Sequence, residues 1–102
     1  EVRWAKGDDL PLSMCYGRDT VSLAIHVRVD EPFEPYFVPV ETIMSDYDGR
    51  PHWGKMHFQT SDSLASIYPE WETFQRARCQ LDPNGVFENN YTRRVLGKIK
   101  PR

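Results

Sequence analysis

From Val21 to Val29 the chain alternates without a break. Val21, Leu23, Ile25, Val27 and Val29 fall on one side, and Ser22, Ala24, His26 and Arg28 on the other. Strict period-two alternation marks a half-buried strand, so a strand over 21–29 is predicted with its apolar set against a core. His26 and Arg28 then lie side by side on the opposite face. The same rule applied to the opening residues predicts a shorter strand in which Glu1 and Arg3 share one face and Val2 and Trp4 the other. Lys6-Gly7-Asp8-Asp9 and Leu10-Pro11 carry turn chemistry and predict a loop between the two strands.

The period then changes. Phe37, Val40, Met44 and Tyr47 recur at three- and four-residue intervals, predicting an amphipathic helix within 34–47 that lays one stripe on the sheet. Pro39 removes a backbone donor and is expected to start or bend that helix. Asp48-Gly49 is expected to end it, glycine supplying a left-handed residue. A short helix is predicted from Ser61 or Asp62 to Tyr68, capped by Thr60 or Ser61. A longer one is predicted from Pro69 to Leu81, stopped by Asp82-Pro83. Beyond Asn84-Gly85 an irregular tail is expected. These patterns together predict an α+β fold, an antiparallel sheet flanked by helices.

Composition narrows the classes. With 39% hydrophobic and 27% charged residues, the 102-residue chain has the balance of a globular domain rather than a disordered tail. A chain of this size buries only about 60–70% of its unfolded surface. It has no apolar run long enough for a transmembrane helix and no signal-peptide pattern. It opens on Glu1 rather than Met, and is expected to be a piece of a longer protein. A formal charge of −2 gives no general attraction to nucleic acid, and none is expected as a partner. The basic residues Arg93, Arg94, Lys98, Lys100 and Arg102 read as a solvated terminus. Two cysteines, Cys15 and Cys79, are too few for a disulfide framework and read as reduced thiols of a cytoplasmic protein. Membrane association of the parent protein would depend on the rest of its chain.

Arg50-Pro51-His52-Trp53-Gly54-Lys55 gathers the most functional atoms: a flat Trp wall, a glycine that admits close approach, and the three donors of Lys55. His26, His52 and His57 do not follow a metal-ligand spacing, and no metal is expected. A glycine-rich phosphate loop is absent, so the chain by itself is not expected to hold a nucleotide.

That run, followed by Tyr68-Pro69, Leu81-Asp82-Pro83, Phe87, Asn89 and Arg94-Val95-Leu96-Gly97, resembles the C-terminal end of the sugar-1,4-lactone oxidases. These are the arabinono-, gulono- and galactonolactone oxidases and dehydrogenases, with alditol oxidase as a relative. The resemblance runs from the Glu-Val-Arg opening through Tyr16-Gly17-Arg18-Asp19 to the end. It implies that residues 1–102 are the C-terminal part of the substrate-binding domain of an FAD-linked oxidase, the FAD-binding domain lying outside this chain. It implies a CH–OH donor, a sugar lactone or polyol, oxidised with oxygen or another acceptor. It also implies catalytic roles for Glu1, Arg3 and Lys55, substrate contacts for His26, Arg28 and His52, and flavin contacts for Lys55 and His52. Without it, Glu1 with Arg3 reads as a surface pair contributing under about 1 kcal/mol, and His26 with Arg28 as a solvated sheet face. The alternatives are an alditol oxidase and a non-catalytic α+β module that binds a sugar or a protein. By itself the fragment is expected to be inactive and to self-associate through its exposed apolar face.

Overall fold

The structure is a computed structural model that describes residues 1–100; the basic-tail residue Arg102 lies outside them. The chain forms two compact units. One comprises Glu1–Asp9 and Ser13–Phe58, the other Leu10–Leu12 and the residues from Gln59 onward.

In the first unit β1 (Val2–Ala5) pairs antiparallel with β2 (Thr20–Leu23), placing Val2 opposite Leu23 and Ala5 opposite Thr20. The predicted sheet is therefore antiparallel, but the strand expected over 21–29 stops at Leu23. Its ladder explains the shortening: the Ala24 N–H bonds to the Glu1 carbonyl (2.8 Å), and Ile25 to Val29 meet no pairing strand among the described residues. An alternating sequence forms a strand only where its backbone groups find partners. Nor does the apolar set reach a core, since Val21, Leu23, Ile25 and Val29 are all exposed.

Helix α1 (Glu34–Ser45) begins with Pro35 in its first turn and continues through Pro39. It starts five residues before Pro39, with Pro35 tolerated in a first turn whose N–H groups have no helical acceptor. None of its residues is buried, so the stripe predicted to lie on the sheet is unseated; Phe37, Val40 and Met44 are half-buried and Tyr47 is exposed beyond the helix end. Phe33 adds local packing, with ring centroids 5.7 Å from Phe37 and 6.3 Å from Phe58. The left-handed residue after α1 is Asp48 (φ 54°), not Gly49. Gly49 is needed for a different reason: its N–H bonds to the Met44 carbonyl (2.8 Å), and a Cβ there would sit 2.8 Å from that oxygen.

The second unit is helical. α2 (Ser61–Ala65) starts at Thr60, whose N–H donates to Ser63 Oγ at 3.0 Å. α3 (Trp71–Leu81) begins two residues later than Pro69 suggested. The expected irregular tail contains a fourth helix, α4 (Asn90–Leu96), which packs on α2. Asn89 caps it, its Oδ1 accepting from the Thr92 N–H (2.9 Å) while Thr92 Oγ1 accepts from the Asn89 N–H (2.8 Å). Leu64, Tyr68, Trp71 and Val95 form the buried apolar core of this unit, and Gln75 is buried beside them, donating to the Leu96 carbonyl (2.7 Å).

Candidate functional site

The sequence-predicted residues group into two local arrangements, both in the first unit. At the start of β1, Glu1 and Arg3 form an ion pair, as their shared strand face requires. Arg3 Nε lies 2.6 Å and Nη2 2.5 Å from Glu1 Oε1. Both contacts fall on one carboxylate oxygen. The side chains are 75% and 52% exposed, so water screens the pair and its value to stability is under about 1 kcal/mol. Because both nitrogens converge on Oε1, the pair keeps that oxygen beside the guanidinium without fixing the carboxylate plane.

The second arrangement is the His52-Trp53-Gly54-Lys55 turn. The Lys55 N–H donates to the His52 carbonyl (3.1 Å), closing a β-turn, and the Gly54 N–H donates to His52 Nδ1 (3.0 Å). Four consecutive residues thus hold one imidazole, one half-buried indole and one exposed ammonium in a fixed order.

Two arginines brace the corner from which this turn departs. Arg50 Nη1 donates to the carbonyls of Tyr16 (2.7 Å) and Met14 (3.3 Å), and Arg18 Nη2 donates to the Asp48 carbonyl (2.7 Å). The loop that supplies those acceptors is itself closed, with the Gly17 N–H bonded to the Asp8 carbonyl (2.8 Å) and the Gly7 N–H to Asp19 Oδ1 (2.8 Å). Gly7 is obligatory there because a Cβ would stand 2.8 Å from the Arg18 carbonyl carbon. A charged donor on a backbone carbonyl is worth about 1.5–3 kcal/mol, roughly twice a neutral hydrogen bond. Neither brace is visible in the side-chain pattern, because the acceptors are backbone carbonyls that every residue carries.

His26 and Arg28 do not stand on a strand face, since the chain is irregular there. Arg28 instead turns to its neighbours, with Nε 3.1 Å and Nη2 3.0 Å from the two Asp30 carboxylate oxygens and Glu31 3.9 Å away. This bidentate pair engages the guanidinium that the strand reading left free. His26 is exposed. His57, by contrast, is buried at 7% exposure.

The helical unit carries a separate charged cluster. Glu88 accepts from the Ile99 N–H (2.6 Å), from Arg93 Nε (3.2 Å) and from Arg78 Nη2 (3.4 Å), while Arg78 also donates to the Gly97 carbonyl (2.9 Å). The Ile99 backbone donor, with Arg93 and Arg78, holds the Glu88 carboxyl below its ordinary range against the opposing effect of burial. Every member is engaged within its own unit, which makes the cluster a fastener of the segment after α4. No helix of the described residues is long and apolar enough to cross a membrane.

Residues 1–95 match the family model described as D-arabinono-1,4-lactone oxidase. The chain is 55% identical over 97 residues to an L-gulono-1,4-lactone dehydrogenase of Mycobacterium tuberculosis, covering 95% of this chain and 23% of that protein. It is 39% identical over 100 residues to the L-gulonolactone oxidase of Mus musculus, covering 94% and 23%. To an alditol oxidase of a Streptomyces species it is 35% identical over 97 residues, covering 94% and 23%. The chain therefore spans under a quarter of the length of these relatives.

Proposed function

Because the chain belongs to the D-arabinono-1,4-lactone oxidase family, we propose that the protein containing it is an FAD-dependent oxidoreductase acting on a CH–OH group of a sugar-1,4-lactone, and that residues 1–102 are the C-terminal part of its substrate-binding domain. The observation that carries this reading is the family match over residues 1–95, and it is supported by two polar groups of the required types in one unit, the Glu1–Arg3 pair and the His52–Lys55 turn. An alcohol oxidation requires a proton acceptor at the hydroxyl and donors for the oxygen that gains negative character. Glu1 and Lys55 are of those types.

The residues of this chain fit one part of a flavin and not the whole of it. Lys55 and His52 offer hydrogen-bond donors suited to the carbonyl and ring-nitrogen edge of an isoalloxazine, whereas no glycine-rich loop offers backbone donors to its phosphates. Phosphate binding then belongs to other parts of the protein. When bound, FAD supplies the hydride acceptor, chemistry that no side chain can provide.

The protein groups handle everything else. Glu1 takes the hydroxyl proton, with Arg3 paired to one oxygen of its carboxylate. Lys55 stabilises negative charge on an oxygen of the substrate or the reduced ring. His26 and Arg28 remain substrate contacts of the proposal only if Arg28 exchanges its carboxylate partners for the ligand. A polyol presents the same CH–OH group without the lactone carbonyl, so an alditol oxidase is the second reading, favoured by the likeness to the Streptomyces protein.

The test is the visible spectrum of the intact purified protein during anaerobic titration with a sugar-1,4-lactone and, separately, with a polyol. Oxidised-flavin bands bleached by the lactone support the proposal, and bleaching by the polyol alone moves it to the second reading. A colourless protein that neither compound alters would overturn both.

A further inference from the structure

We propose that His52 acts at the site as a hydrogen-bond donor through Nε2–H, locked in that tautomer by Gly54, and not as a proton acceptor. This deepens the functional reading above and rests on it. A neutral imidazole has one donor and one acceptor nitrogen, and the hydrogen bond made by one sets the role of the other. In this structure the assignment follows from the backbone: the Gly54 N–H points at Nδ1 at 3.0 Å, so Nδ1 must offer its lone pair and the ring proton stands on Nε2. The Lys55 N–H bond to the His52 carbonyl closes the same turn, so backbone and ring are fixed by adjacent bonds. The Nδ1 edge of the ring lies close to Gly54, where an added Cβ would stand 3.4 Å from Cε1 and 3.5 Å from Nδ1.

The consequence divides the labour of the site. With Nδ1 occupied, the exposed His52 keeps a single side-chain donor, Nε2–H, in the same turn as the exposed Lys55. Two donors three residues apart suit an oxygen acceptor that carries or gains negative charge, and they leave proton removal to the Glu1 carboxylate. The acceptor is a carbonyl-type oxygen, either that of the lactone or that of the flavin ring.

The intact enzyme, labelled with 15N-histidine, gives a direct measurement. His52, assigned by the signals lost in His52→Asn, is expected to show a pyridine-type Nδ1 and a pyrrole-type Nε2; the reverse pattern overturns the lock. Two variants separate the two nitrogens. His52→Asn keeps an acceptor for the Gly54 N–H and deletes the distal donor, whereas His52→Gln keeps a distal donor and deletes the near acceptor. The Asn variant is expected to lose at least about tenfold in kcat/KM, a difference of about 1.4 kcal/mol, and the Gln variant to recover part of it. A loss confined to KM for the lactone with an unaltered flavin spectrum places the acceptor on the substrate. A shifted flavin spectrum with unchanged KM places it on the ring. Two variants as active as the parent overturn the donor role while leaving the flavoenzyme reading intact, and a parent protein without lactone turnover overturns both.

Discussion

Leu64, Tyr68, Trp71 and Val95, the buried apolar side chains among the described residues, all fall in the helical unit, whereas in the unit carrying the candidate site the buried residue is His57. Both units expose apolar side chains, Leu81, Val86 and Phe87 in the helical one; in the first they are Val2, Trp4, Leu23, Ile25 and Val29 around the sheet and Val38 and Ile43 on α1. The polar braces of the first unit are explicit, with Arg18 and Arg50 on backbone carbonyls. The helical unit adds directed bonds from Arg78 and Glu88 to a buried apolar core, whereas the first unit has its directed bonds without such a core among the described residues. The second kind of construction sets atom positions without needing a closed core, which is what a binding surface demands, and it leaves the apolar face of that unit available to cover.

The largest expected effect tests the helical side of this contrast. Leu64 is fully buried, so Leu64→Ala in the intact protein should cost about 2–5 kcal/mol of stability, most of it from the cavity left behind. Val40→Ala, at a half-buried position of α1, is the matched control: about 0.8 kcal/mol follows from losing roughly half the burial of two methyl groups. Chemical denaturation of both variants breaks the comparison if the two losses are equal, because the Val40 face would then be as closed as the Leu64 core. The isolated 102-residue chain should associate through that face, and a monomer at high concentration in ultracentrifugation would count against it.

Next in size is the brace. Arg50→Ala removes two charge-assisted bonds to carbonyls and is expected to cost about 1.5–3 kcal/mol and to lower kcat/KM with it. Both bonds leave the single nitrogen Nη1, so Arg50→Lys, which keeps the charge on a shorter side chain without the guanidinium, tests reach, and full rescue by lysine would reduce the brace to a charged donor of any shape. Lys55→Ala should behave oppositely. Its side chain is exposed and only its backbone N–H is engaged in the turn, so folding should be unchanged while turnover falls at least about tenfold, about 1.4 kcal/mol in the barrier. Unchanged kinetics would remove Lys55 from the site.

What was legible in the sequence follows the same division. Period-two and period-3.6 patterns located the antiparallel pair, α1 and α3, the Thr60 cap marked the start of α2 though it ends at Ala65 and not at Tyr68, and the turn around His52 was identified from composition, because those signals are carried by side chains. Strand length was not legible: Ile25 to Val29 alternate as well as Val21 and Leu23 do, but pairing depends on a partner backbone that alternation cannot report. The face-sharing of His26 and Arg28 was lost with it, and Asp30 and Glu31, two and three residues beyond Arg28, were the overlooked competitors for its guanidinium. Helix α4 was missed although Asn89 and Thr92 stand at capping-box spacing ahead of Val95 and Leu96; its brevity hid the apolar period. The Arg18 and Arg50 braces had no side-chain signature at all.

The smallest effect is a pH dependence in the helical unit. Glu88 is held below the ordinary carboxylate range, first by the Ile99 N–H and then by Arg93 and Arg78. A carboxyl that ionises more readily folded than unfolded binds fewer protons in the native state, so stability rises with pH across its titration. The contribution is complete above the unfolded-state value and is lost as pH falls through the lowered folded value. Melting temperatures of the intact protein between about pH 3 and about pH 6 should therefore fall on the acid side, and more steeply than those of Glu88→Gln, in which no proton can be taken up. Other carboxylates contribute equally to both curves, so the difference between them isolates Glu88. Curves that run parallel would mean that the Ile99 bond survives protonation, and that the segment after α4 is fastened by Arg78 on the Leu96 and Gly97 carbonyls and not by the charge on Glu88.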